Sequence, residues 1–171
     1  TGSILGQQLI IGPNYLPKIF KNDEISNDSS YYTSELAGEE LPFNTDQWDG
    51  YPREREEFYK TISNSQSNLI LAGDSHNSWF SNLYDKNNEF VGIEIGAPAI
   101  SSPSFGDTFK DKTRIIEDEF IKDNKDLLWV NGRNQGYVSL NITELDVEVQ
   151  FKYVSTVKSE DYKGLEPDVF R

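Results

Sequence analysis

A short apolar run leads directly into a polar turn at residues 69–79, whose sequence is Leu-Ile-Leu-Ala-Gly-Asp-Ser-His-Asn-Ser-Trp. The run 69–72 predicts a strand that is covered on both faces, because a half-buried strand would alternate apolar and polar residues. Gly73 allows the chain to leave the sheet and turn. Ligands of open α/β sheets bind outside the carboxyl ends of such strands, so this turn is a candidate functional site.

Two side chains of the turn have the chemistry of metal ligands. Asp74 and His76, the only histidine of the chain, are separated by one residue and can project to the same side. A carboxylate oxygen is a hard ligand and an imidazole nitrogen a borderline one, and the two can share an ion. A four-residue pattern is weak by itself, and a lone histidine at a strand end is more often a hydrogen-bonded structural residue. Both interpretations stay open at this level.

Further motifs flank the turn in a fixed order. Asn-Thr-Asp-Gln-Trp-Asp-Gly-Tyr-Pro-Arg-Glu-Arg occupies residues 44–55, Glu-Phe-Val-Gly follows at 89–92 and Ile-Ser-Ser-Pro-Ser at 100–104. Leu-Gly-Gln-Gln stands at 5–8, and the segment 124–142 carries a matching apolar pattern. Taken with the turn, these motifs resemble the C-terminal part of the PhoD-like (alkaline phosphatase D) metallophosphatase family, from about residue 4 to about residue 153.

The resemblance implies an α/β (α+β) fold of the calcineurin-like metallophosphoesterase type, a β-sandwich flanked by helices. It implies hydrolysis of phosphate monoesters, and of diesters in some members, with Asp74 and His76 at metal-ligand positions. Iron and calcium are the metals associated with the family. The resemblance further implies a periplasmic or extracellular location.

The chain departs from the family by lacking the motifs that supply most of the metal ligands, which lie toward the N-terminus of complete members. We therefore expect residues 1–171 to be a single domain or fragment, the C-terminal half of such a phosphatase, and to be inactive alone. The remaining ligands would come from the N-terminal remainder of the same protein, and no catalytic residue beyond the two ligands is assigned. The alternative is a non-catalytic secreted or surface binding module that retains the fold.

Four other residues are candidates for supporting the site or contacting substrate. Asp49 could cap a helix that begins near Pro52 or brace the metal site from behind. Asn77 follows the turn, and the hydroxyls of Ser101 and Ser102 could contact phosphate, although plain turn chemistry explains these serines equally well. The aromatic residues of the same motif, Trp48 and Tyr51, are expected to anchor that helix in the core rather than to touch substrate.

Composition excludes several classes of function. The formal net charge is −13, which opposes non-specific association with nucleic acid or anionic lipid, and we expect no specific nucleic-acid binding. The chain has no cysteine, which rules out disulfides and thiolate metal sites within it. No apolar run is long enough for a membrane span.

Local patterns predict the elements. They comprise strands at 7–12, 69–72, 90–95, 127–130, 135–142 and 147–157, helices from Pro52 to an end near residues 63–67 and at 108–123, a helical turn at 77–83, a hairpin turn at 131–134, a surface loop at 21–40 and a polar surface tail at 159–171.

Overall fold

The computed structural model describes residues 2–21, 25, 35–63 and 67–171. Its helices and strands follow in this order: β1 (Ser3–Gly6), α1 (Pro52–Ile62), β2 (Asn68–Ala72), β3 (Ser78–Tyr84), β4 (Phe90–Gly96), α2 (Phe105–Phe109), α3 (Thr113–Asp123), β5 (Leu127–Asn131), β6 (Gly136–Ile142), β7 (Val147–Tyr153) and β8 (Asp168–Phe170).

A mixed five-stranded sheet forms the centre of the fold, with the strand order β1-β2-β4-β3-β5. β1, β2 and β4 run parallel, with Leu69 opposite Ile93, whereas β3 is antiparallel to β4 and to β5. The carboxyl ends of β2 and β4 therefore meet at one edge of the sheet, as the sequence predicts for the Gly73 turn.

The second sheet is antiparallel, has the order β6-β7-β8 and packs on one face of the first. Its central strand contributes Val149, Phe151 and Tyr153, which lie against side chains of β2, β4 and β5. Phe151 is fully buried between the sheets. The predicted sandwich is confirmed.

Helices and irregular segments cover the other face of the first sheet. Alternate residues of β2 separate the two layers, since Ile70 packs with Tyr59 and Ile62 of α1, whereas Leu69 and Leu71 face the second sheet. The predicted coverage of this strand on both faces is confirmed. A larger aromatic cluster lies beside α2 and α3 and contains Phe20, Phe43, Trp79, Phe105, Phe109 and Phe120.

Three local predictions are wrong. Residues 7–12 form no strand; they cross the sheet face, with the N–H groups of Ile11 and Gly12 bonded to a carboxylate of β4 instead of a neighbouring strand. The expected helical turn at 77–83 is strand β3, because both of its edges are paired. The expected hairpin at 131–134 instead carries the chain from one sheet to the other, with the Gly132 N–H held by Glu117 Oε1 at 2.7 Å.

The two segments expected to lie at the surface also contain a strand and buried residues. The tail adds strand β8, whose Phe170 ring stacks on Phe80 at 4.7 Å between centroids. Within 21–40, Ile25 and Ala37 are buried. The rest of that expected loop, residues 22–24 and 26–34, lies outside the described residues.

Candidate functional site

The turn 73–77, here called the Gly73 loop, connects β2 to β3 at the carboxyl edge of the parallel strands. Because β4 lies between β2 and β3 in the sheet, this loop crosses over the end of β4. The segment after β4 is tied to it: the Ala97 N–H donates to the carbonyl of Ala72, and the Ala99 N–H to that of His76, at 2.8 and 3.2 Å.

The Gly73 loop is held by hydrogen bonds on both sides. The Gly73 N–H donates to the carbonyl of Gln8 at 2.9 Å, and the Ser75 N–H donates to the carbonyl of Gly73 at 2.7 Å. The indole of Trp79 donates to Ser75 Oγ at 2.5 Å. The loop backbone is therefore fixed by the sheet and by the core beneath it.

Asp74 and His76 both adopt left-handed backbone conformations, with φ of 62° and 65°. Such angles are uncommon outside glycine, and Asp and His are among the residues that tolerate them best. Both residues are exposed. Strained backbone of this kind is retained where the surrounding structure enforces it, and it clusters at functional sites. Asp74 Oδ1 accepts a long hydrogen bond of 3.4 Å from Gln8 Nε2.

The imidazole of His76 is oriented by the segment that follows β4. Its Nδ1 lies 2.9 Å from the carbonyl oxygen of Pro103. A carbonyl only accepts, so Nδ1 carries a proton, and in the neutral imidazole Nε2 then has the lone pair. Metal-ligating histidines commonly donate their second ring N–H to a backbone carbonyl in this way, which fixes both tautomer and ring orientation.

Asn77 is the last residue of the Gly73 loop, and Ser101 and Ser102 lie on the segment that is hydrogen-bonded to the loop. Asn77 is buried, with its Oδ1 accepting the Phe105 N–H at 2.9 Å and its Nδ2 donating to the Ser75 carbonyl. It joins the loop to the start of α2 and faces away from solvent. Ser101 is exposed and Ser102 half-buried, and both precede the Pro103 carbonyl that holds His76.

The carboxylate of Asp49 bonds to Arg55 and Asn14 rather than to a backbone N–H at the start of α1, so the capping interpretation is wrong. Tyr51, the N-cap residue of α1, makes no side-chain capping hydrogen bond. The Asp49 carboxylate instead accepts from Arg55 Nη1 at 2.6 Å and from the Asn14 N–H at 3.0 Å. Burial raises the pKa of Asp49, while the Asn14 N–H and the Arg55 guanidinium oppose that rise. The motif 44–55 thus contains a buried ion pair that fastens α1 to the segment crossing the sheet.

The motif's aromatic residues differ from each other in burial. Trp48 is half-buried and packs on Phe58 at 5.6 Å between ring centroids, as expected of a core anchor. Tyr51 is 54% exposed, so its expected role in the core is wrong. It is the N-cap residue of α1 and immediately precedes Pro52.

The contacts of Gln8 and Pro103 to the loop were not found from sequence. They lie 66 and 27 residues away from the side chains they contact, and one is a backbone carbonyl, for which a sequence carries no residue-type signal.

Within the described residues, no group of three or more His, Cys, Asp or Glu side chains could hold a metal ion. Asp74 and His76 by themselves offer two side chains of a type that binds metal, and the ring of His76 is oriented by the Pro103 carbonyl. No described helix is both long and apolar enough to cross a membrane.

Comparisons with known proteins bear on the whole chain. A family model described as PhoD-like phosphatase matches residues 3–151. Alkaline phosphatase D of Bacillus subtilis (strain 168) is 33% identical over 107 residues, which cover 59% of this chain and 18% of the relative. The chain therefore spans about a fifth of the length of that curated relative.

A solved structure titled "Structure of PhoD" is also similar. The match has a TM-score of 0.64 and 20% sequence identity, and it covers 95% of this chain and 28% of the solved one. At this identity the likeness speaks for the fold alone. The family match extends over most of the chain and includes both the Gly73 loop and the motif 44–55, and the chain belongs to the PhoD-like phosphatase family.

Proposed function

We propose that this chain is a C-terminal segment of a metal-dependent phosphatase and that it supplies Asp74 and His76 to the metal site. The observation that carries the proposal is the hydrogen bond from His76 Nδ1 to the Pro103 carbonyl. With Nδ1 engaged, Nε2 is the ring nitrogen that could bind a metal ion. The ring of His76 is exposed, as is the carboxylate of Asp74. The further ligands would come from the N-terminal remainder of the protein.

The donor set fits the metals that the resemblance implies. Asp74 offers an oxygen of the kind calcium takes, and His76 a nitrogen that iron takes. When bound there, metal ions would neutralise negative charge on the phosphoryl group during transfer. The chain's own residues orient that site: Pro103 fixes the ring of His76, Gln8 contacts the carboxylate, and Asn77 braces the loop.

The substrate is a phosphate ester. Monoesters are the first class that we propose, and diesters are the second. Ser101 and Ser102 stand on the segment that carries the Pro103 carbonyl, where their hydroxyls would contact phosphoryl oxygens. A nucleic-acid polymer is disfavoured by the net charge of −13. We place the mature protein in the periplasm or outside the cell, on the resemblance alone.

The test is hydrolysis of p-nitrophenyl phosphate and its bis-ester by the intact natural protein supplied with calcium and iron. His76→Ala and Asp74→Asn are each expected to reduce kcat/KM at least about 100-fold, or about 2.7 kcal/mol of transition-state stabilisation. Asp161→Asn, a change at an exposed carboxylate of the C-terminal tail, is the matched control and should leave the rate unchanged.

Equal rates for wild type and His76→Ala would remove this histidine from the site. An intact protein with no activity toward either ester would favour the alternative, a non-catalytic binding module that retains the fold.

A further inference from the structure

A small pocket lies beside the Gly73 loop. It is formed by residues 7–9, which follow β1, and by residues at and just before the start of α1. Its volume is about 340 Å³, at the lower end of the range found for small-molecule sites. We call it the ring pocket. It is lined by Gln7, Gln8, Leu9, Trp48, Tyr51 and Glu54.

Gln8 connects the ring pocket to the candidate metal ligands. Its side chain lines the pocket while its Nε2 reaches Asp74 Oδ1 at 3.4 Å, and its carbonyl accepts the Gly73 N–H at 2.9 Å. Only the side chain of Gln8 therefore separates Asp74 from the ring pocket. A substrate whose phosphoryl group is bound at Asp74 could place its organic group in the pocket.

Two aromatic residues give the ring pocket its chemistry. The indole of Trp48 is fixed, since its Nε1 donates to Gln7 Oε1 at 2.9 Å and its ring packs on Phe58. Tyr51 is 54% exposed although it is large and apolar over most of its surface. Leu9 adds a further apolar surface, and Gln7, Gln8 and Glu54 are the polar residues of the lining.

We propose that the ring pocket binds the organic group of the phosphate ester and that this group is an uncharged aromatic ring. This inference rests on the proposed function for the position of the phosphoryl group. Flat rings pack on Trp and Tyr with favourable offset or edge contacts. The Glu54 carboxylate, which lines the pocket, repels a second negative charge, and this disfavours polyanionic substrates.

The experiment measures binding, so that turnover is not required. The intact natural protein is labelled with 5-fluorotryptophan, and the Trp48 signal is assigned by Trp48→Phe. Methylphosphonate, butylphosphonate and phenylphosphonate are titrated by ¹⁹F NMR; these compounds are not hydrolysed and share one anionic group. Phenylphosphonate is expected to move the Trp48 signal and to bind several-fold more tightly than the other two.

The variants separate the pocket from general apolar binding. Tyr51→Ala should weaken phenylphosphonate about fivefold and leave methylphosphonate unchanged. The control is Tyr137→Ala, which removes a tyrosine of similar exposure, 56%, on β6. Butylphosphonate binding as tightly as phenylphosphonate, or no effect of Tyr51→Ala, would overturn the inference.

Failure of the proposed function has a different signature. In that case methylphosphonate would not bind and neither ester would be hydrolysed. The response of the Trp48 signal to phenylphosphonate would still show whether the ring pocket binds an aromatic group.

Discussion

Glu94 is the most deeply buried acidic side chain of the central sheet, and it holds the segment that leads from β1 over the sheet face. Its two oxygens accept the N–H groups of Ile11 and Gly12 at 2.7 and 2.9 Å, and the residue is fully buried. Burial raises the pKa of Glu94 to about 7 from 4.5, although the two N–H groups oppose the rise.

This pKa predicts that stability falls between pH 4.5 and 7. The folded state binds the proton more tightly than the unfolded chain, so the contribution is complete below about pH 4.5 and is lost as the pH rises to about 7. The shift corresponds to about 3 kcal/mol over that interval. Urea denaturation at a series of pH values measures it.

Glu94→Gln, which cannot ionise, is the comparison. The unfolding free energy of Glu94→Gln should not show this fall between pH 4.5 and 7. Glu166→Gln, at an exposed position, should show the same fall as wild type. Parallel pH profiles for wild type and Glu94→Gln would contradict the assignment of the pKa to this residue.

At the scale of elements, helix α1 is fastened by one buried ion pair. The Arg55 and Asp49 side chains are 12% and 4% exposed and lie 2.6 Å apart. Removing one partner of a buried pair leaves an uncompensated charge, so Arg55→Met is expected to lower the unfolding free energy by about 3 kcal/mol. Thermal or urea denaturation measures the loss.

The same helix supplies the control. Lys60 and Glu57 form an exposed pair at 57% and 72% exposure, which contributes little because water screens it. Lys60→Ala should leave the unfolding free energy almost unchanged. Similar losses for the two variants would mean that the Asp49–Arg55 pair does not fasten α1.

Strand β8 gives a second test at this scale. Phe170 packs on Phe80 at 4.7 Å and on Trp129 at 5.2 Å between ring centroids. Phe170→Ala is expected to cost about 2–3 kcal/mol of unfolding free energy, less than for a fully buried phenylalanine.

Val169, the neighbour of Phe170, is 48% exposed and serves as the control. Val169→Ala should stay within about 0.5 kcal/mol of wild type. If Phe170→Ala has an equally small effect, strand β8 does not contribute to the core between the two sheets.

Sequence patterns predicted those elements whose apolar spacing is set locally. Helix α1, with Pro52 at its start, and the strands β2, β4, β6 and β7 were predicted from such spacing. The pattern was insufficient where pairing is remote: β3 is a strand because β4 and β5 lie on either side of it, and β8 because β7 lies beside it. Residues 7–12 look like a strand but are bonded by Glu94, more than 80 residues away.

At the scale of the whole molecule, two sheets and a helical layer place the Gly73 loop at one edge, where β2 ends and β3 begins. The position of Asp74 and His76 at a strand end was predictable, because the residues that form the strand and the turn are consecutive in the sequence. Their support was not, since it comes from Gln8 and Pro103 on other parts of the chain. The outward position of Tyr51, and with it the ring pocket, likewise depends on how α1 docks.

The measurement that tests the central claim most directly is the metal content of the intact natural protein. Mass spectrometry of purified wild type, Asp74→Asn and His76→Ala, after dialysis against metal-free buffer, counts the metal ions that remain bound. We predict bound iron and calcium in wild type and fewer metal ions per chain in both variants, with Asp161→Asn unchanged. Equal metal content in wild type and both variants would contradict the assignment of Asp74 and His76 as ligands.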